Sequence, residues 1–123
     1  MKLRLLDDSI RLRLSRGEVT TADEHGVVEG QTRFPDGSVF TFALEALEGS
    51  SKPSAAYTND RLVVRLPAAE IAAWAGDDSA VSLAGELELP LGGPLKLLVE
   101  KDFRCLSPRE GEDQSDLFTN PDA

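Results

Sequence analysis

The chain has one cysteine, one histidine and no long apolar run. A single thiol, Cys105, cannot close an intramolecular disulfide, so nothing calls for an oxidising compartment. The opening MKLRLLDDSIRLRL alternates polar and apolar residues where a signal peptide needs a continuous apolar stretch. No segment approaches the length that spans a membrane. A cytoplasmic protein without membrane association is the expectation. Cys105 and His25 are too few and too far apart for a zinc site, which needs three or four ligands at short spacing. A glycine-rich phosphate loop, a Gly-x-Ser-x-Gly elbow and a His-Glu metal motif are also missing. No metal, no cofactor and no catalytic residue are therefore expected. Basic residues are in the minority as well: the net charge of −9 repels phosphate backbones and argues against nucleic acid as a partner.

What is present describes one globular domain. At 123 residues the chain can bury a core without staples, and 41% hydrophobic with 28% charged residues is ordinary for such a domain. An internal repeat organises it. KLRLLDDSIRLRLSRGEV at 2–19 aligns with SAAYTNDRLVVRLPAAEI at 54–71, with identities at Asp8/Asp60, Arg13/Arg65, Leu14/Leu66 and Glu18/Glu70. Each copy reads as a strand, a turn at Asp7-Asp8 or Asn59-Asp60, a returning strand and a short helix. Ser15 with Glu18 forms a capping box for the first helix; Pro67 suits the first turn of the second. Gly26 and Gly76 are expected to supply left-handed C-caps, and Ile71, Trp74 and Ala75 one buried helical stripe. A second hairpin follows each helix, across Pro35-Asp36-Gly37 in one half and Pro90-Leu91-Gly92-Gly93 in the other. The expected fold is α+β: two ββαββ repeats, about 1–50 and 53–104, forming a strongly bent antiparallel sheet or a barrel with two short helices. Two unrelated halves that share turn residues are the alternative. The domain is placed at 1–106, with an acidic tail at 107–123.

EKDFRCL followed by EDQSD, together with the opening SIRLRLSRGEV, resembles a family of small uncharacterised bacterial proteins, a domain of unknown function. The resemblance spans nearly the whole chain. It implies a bacterial source and an independent small domain, and carries over no activity and no site residue.

The clearest chemical pattern lies in the first hairpin. A turn at Asp7-Asp8 pairs Arg4 with Arg11 and Lys2 with Arg13, so alternation puts Lys2, Arg4, Arg11 and Arg13 on one face and Leu3, Leu5, Ile10, Leu12 and Leu14 on the other. Like charges directly opposite each other cost stability, so an anion is expected above them. The protein can provide one from Glu45, Glu86, Glu88, Glu100, Asp102 or the tail, or solvent can screen the charges. The functional alternative is an anion-binding face whose arginines clamp a phosphate or carboxylate.

Cys105 lacks any base the sequence places beside it, and reads as a packed residue at a strand end. His25 suits a helix C-terminus and needs no catalytic explanation. In the tail, five acids stand against one base. The alternatives for Asp113, Asp116, Leu117 and Phe118 are docking onto the body, a linear motif for a protein partner, or a frayed end. The resulting expectation is a non-enzymatic binding or protein-interaction module with an anionic small molecule or a protein as partner. The competing class is a metal-assisted enzyme acting on a phosphorylated small molecule, with Glu86 and Glu88 holding a divalent cation.

Overall fold

A computed structural model describes residues 1–104 and 113–120. Eight strands and two helices follow one another as β1 (Lys2–Leu5), β2 (Ser9–Leu14), α1 (Arg16–His25), β3 (Val27–Arg33), β4 (Val39–Leu47), β5 (Ser54–Thr58), β6 (Arg61–Pro67), α2 (Ala68–Gly76), β7 (Ser82–Glu88) and β8 (Pro94–Lys101). Local chemistry accounts for each junction. Asn59 and Asp60 both take positive φ, 50° and 60°, which is what a two-residue hairpin turn between β5 and β6 requires. The β3–β4 and β7–β8 turns repeat one hydrogen-bond pattern. Phe34 N–H donates to Ser38 O at 2.9 Å and Leu89 N–H to Gly93 O at 3.0 Å, with Gly37 and Gly92 in the left-handed region.

The capping box of α1 forms: Glu18 N–H donates to the Ser15 hydroxyl at 3.3 Å, and Ser15 N–H to the Glu18 carboxylate at 2.9 Å. Gly26 ends α1 in the left-handed conformation at φ 78°. Gly76 does not do the same for α2. It is the last helical residue, and the extended Asp77 terminates the helix. The Lys101 ammonium donates to the Asp77 carbonyl at 2.9 Å, so a side chain from β8 does the capping and no left-handed glycine is needed. Pro67 lies immediately before the first helical residue, without a side-chain cap.

The strands form two four-stranded sheets, ordered β1-β2-β8-β7 and β3-β4-β6-β5. This replaces the bent antiparallel sheet or barrel expected from the hairpins. The hairpins are antiparallel, but the central pairs, β2 with β8 and β4 with β6, are parallel. The helices explain why. α1 carries the chain from the first sheet to the second, and α2 carries it back. The two hairpins of one half therefore lie in different sheets and cannot pair with each other. Each sheet keeps two edge strands, so neither closes.

One core joins the apolar faces of both sheets with a stripe of each helix: Leu12, Leu14 and Val99 from the first sheet, Leu44 and Val64 from the second, Val19, Ala22, Ile71 and Trp74 from the helices. No helix among the described residues is long and apolar enough to cross a membrane.

Residues 113–120 pack onto this body. Phe118 N–H donates to Asp102 O at 2.9 Å and Arg104 N–H to Phe118 O at 2.8 Å, forming a short parallel bridge. Leu117 is buried, and Asp116 accepts from the first turn of α1: Arg16 N–H to its carbonyl at 2.8 Å, Gly17 N–H to its carboxylate at 3.2 Å. Lys101, also buried, lies between the rings of Trp74 and Phe118, its ammonium 5.7 and 5.3 Å from the two centroids.

Candidate functional site

The registers of the first sheet set its outer face, row by row. Lys2, Arg13, Glu100 and Ser82 lie side by side across the four strands; the next row is Arg4, Arg11, Leu98 and Ala84. A third row places Ser9 beside Lys96 and Glu86, with Leu6 at the hairpin end. Arg4 and Arg11 are thus cross-strand neighbours, as the turn at Asp7-Asp8 requires.

In the first row the protein supplies counterions. One carboxylate oxygen of Glu100 accepts from Arg11 Nε and Arg13 Nε, both at 2.7 Å. The Lys2 ammonium lies 2.9 Å from the Asp102 carboxylate. In the second and third rows the balance changes. Arg4 and Lys96 are exposed and have no ion-pair partner among the described residues. They border an open concavity of about 540 Å³ whose floor includes Leu98 and Ala84, with Glu86 on its far side.

The corresponding rows of the second sheet are chemically different. Ser54, Arg65, Glu45 and Val27 form one row; Ala56, Val63, Ala43 and Glu29 the next; Thr58, Arg61, Thr41 and Gln31 the third. The Arg65–Glu45 contact, 3.1 Å, repeats the Arg13–Glu100 contact. Beyond it, Ala56, Val63 and Thr41 occupy the places of Arg4, Arg11 and Lys96. Arg61 closes this face by donating to both oxygens of Glu29, at 3.0 and 3.3 Å.

The Arg61 hydrogen bond, against an opposing desolvation and with a lesser contribution from the Arg61 charge, holds the Glu29 carboxyl below its ordinary value of 4.5. A group depressed in the folded state stabilises the fold above its unfolded pKa and loses that contribution as pH falls through the folded one. The Glu29 side-chain carbon followed by NMR should therefore titrate below 4.5, and Arg61→Gln should return it toward 4.5. An unchanged midpoint in Arg61→Gln would contradict the assigned cause.

Lys2, Arg4, Arg11 and Arg13 together border a small concavity of about 110 Å³, but only Arg4 and Arg11 also line the larger one with Glu86, while Lys2 and Arg13 lie a row away at Asp102 and Glu100. Glu88 pairs with Pro94 beyond Lys96, toward the hairpin tip. Among the described residues no group of three His, Cys, Asp or Glu side chains is placed to hold a metal ion. His25 is exposed at the end of α1, and Cys105 lies outside the described residues. Asp116, Leu117 and Phe118 face the body, while Asp113 is exposed and accepts from Ser115 N–H at 2.9 Å. Two residues escaped the sequence-based reading. Lys96 shares the alternation phase of Glu100, which places them on one face, but nothing local says which strands lie beside it. Lys101 is a buried cation inside an apolar run, with no local mark of its burial.

Residues 1–122 match the model of a family described as a family of unknown function, DUF7009. The chain belongs to that family. No curated protein and no solved structure matches the chain. In this DUF7009 member the EKDF segment closes β8 and contributes Glu100 and Asp102 to the cationic hairpin. The described end of its DQSDLF segment caps α1 and covers Lys101.

Proposed function

We propose that this chain is a non-catalytic binding module that takes an anionic ligand on the outer face of its first sheet. One observation carries the proposal: Arg4 and Lys96, without ion-pair partners among the described residues, border an apolar-floored concavity in a chain of net charge −9. An exposed cation costs little by itself. Two of them flanking exposed apolar surface, beside a third cation at Arg11 that Glu100 holds, make an unusual combination on a protein this acidic, and anion recognition is the use it fits.

The same proposal takes the halves as copies of one ββαββ unit. The second sheet retains a balanced set of ion pairs, and the first has diverged to carry Arg4, Arg11 and Lys96 at the corresponding places. The metal-assisted enzymatic alternative has less support, because Glu86 and Glu88 lie in successive rows without a third ligand among the described residues. A linear-motif role for Asp113, Asp116, Leu117 and Phe118 would require a partner to displace the contacts that Asp116, Leu117 and Phe118 make on the body.

The test is a thermal-shift series with orthophosphate, sulfate, nucleotides and divalent cations on the wild-type chain and on Arg4→Gln/Lys96→Gln. A ligand selective for the folded state stabilises it by about 2.7 kcal/mol at a hundred times its Kd. Anions should raise the melting temperature of the wild type and leave the double variant unmoved. Equal shifts in both proteins, or none in either, would remove the proposal.

A further inference from the structure

We infer that the ligand is an organic anion with one acidic head and an apolar body, rather than an inorganic anion or a polyanion. This rests on the anion-binding proposal above and adds a ligand class to it.

The row Arg4, Arg11, Leu98, Ala84 changes from cationic to apolar as it crosses the sheet. Adjacent strands lie about 4.8 Å apart, so the distance from β2 to β7 is roughly 10 Å, the length of a medium acyl chain or a substituted ring. A bare phosphate would use the cationic end and leave Leu98 and the exposed Ala84 in water. An apolar body lying over them removes that surface from solvent, which is favourable in proportion to the area covered.

Charge sets the other limit. Glu100 already holds Arg11, so the guanidinium at the centre of the row is largely spent. Arg4 and Lys96 remain available, and Glu86 lies across the strand from Lys96. Two cations against one carboxylate favour a single acidic head. A second phosphate extending toward β7 would meet Glu86. Ser9, short and between Arg4 and Lys96 in the sheet order, leaves room for the head, its hydroxyl engaged by the Leu6 carbonyl at 2.6 Å. The second sheet provides the contrast: Ala56 and Val63 stand where Arg4 and Arg11 do, and Glu29, bound to Arg61, stands where Ala84 does, so its apolar row has no cation at the matching end and a carboxylate at the other.

The experiment titrates the full chain with acetate, butanoate, hexanoate and octanoate, and in parallel with orthophosphate and pyrophosphate, reading Kd from amide chemical shifts. A fully buried methylene is worth roughly a four-fold change in affinity, so a half-covered chain should gain about two-fold for each methylene added. Octanoate should bind at least ten-fold tighter than acetate, and pyrophosphate no tighter than orthophosphate. Leu98→Ser should flatten the chain-length series without altering orthophosphate binding. Ala84→Asn, a neutral polar change at an exposed position, should do the same and guards against a folding defect in the first variant. If acetate and octanoate bind equally while orthophosphate binds, or if pyrophosphate binds tightest, this inference fails and the anion-binding proposal stands. If no anion binds, or Arg4→Gln/Lys96→Gln binds like the wild type, both fail.

Discussion

Replacing Trp74 by alanine should destabilise the protein by about 3–5 kcal/mol, the range for removing a large aromatic from a packed core. Trp74 is the largest of the fully buried side chains, 1% exposed. Three independent contacts converge on it. Its indole N–H donates to the Val81 carbonyl at 3.0 Å, tying α2 to the approach to β7. Its ring shares the buried stripe of α2 with Ile71 and meets the core shared by both sheets. Its face also receives the buried Lys101 ammonium. At this chain length the loss corresponds to a fall in melting temperature of roughly 10–20 °C. Trp74→Phe should recover most of it and retain a deficit of about 1–2 kcal/mol from the lost hydrogen bond and the smaller ring. Denaturant unfolding at constant m-value measures both. A cost below about 1.5 kcal/mol for Trp74→Ala would mean that the ring does not join the two sheets as described.

Ending the chain after Ser107 should lower stability by about 2–4 kcal/mol, a fall of roughly 5–15 °C in melting temperature. Leu117 would no longer be buried, and the Phe118 ring, 5.9 Å from Phe103, would no longer cover Lys101. The first turn of α1 would lose both acceptors that Asp116 provides. Freedom regained by the removed segment offsets part of this, which keeps the estimate below the sum of the contacts. Asp116→Ala removes only the Gly17 contact, leaving Arg16 N–H on the backbone carbonyl, and should cost about 0.5–1 kcal/mol; Leu117→Ser isolates the apolar contact and should cost more. An unchanged melting temperature on truncation would mean that residues 113–120 do not hold the body, and would favour the linear-motif alternative.

The elements legible from sequence are those whose determinants are close together along the chain. Ser15 and Glu18 cap α1 because an N-cap reaches only a few residues ahead. Asn59-Asp60 turns the β5–β6 hairpin because both residues tolerate positive φ. Asp7-Asp8 fixes the register of β1 and β2, and with it the opposition of Arg4 and Arg11. Five acidic residues of the body were candidates to neutralise that face, and the turn gave no means of choosing among them. Only the parallel register of β2 and β8, which sets Arg13 opposite Glu100, made the selection. The C-cap of α2 shows the same limit: Gly76 carries the right local signal, and a lysine twenty-five residues later takes its place.

Turns, the capping box of α1 and strand alternation were determined by sequence alone, because they depend on φ preferences and on contacts within a few residues. The pairing of hairpins was decided by the tertiary structure. Backbone hydrogen bonds between strands are chemically alike whatever the residues, and any arrangement that buries the same apolar faces satisfies the same pattern. The choice made here, a first hairpin beside the last, brings Arg4 and Lys96 to one concavity over Leu98, without an ion-pair partner for either among the described residues.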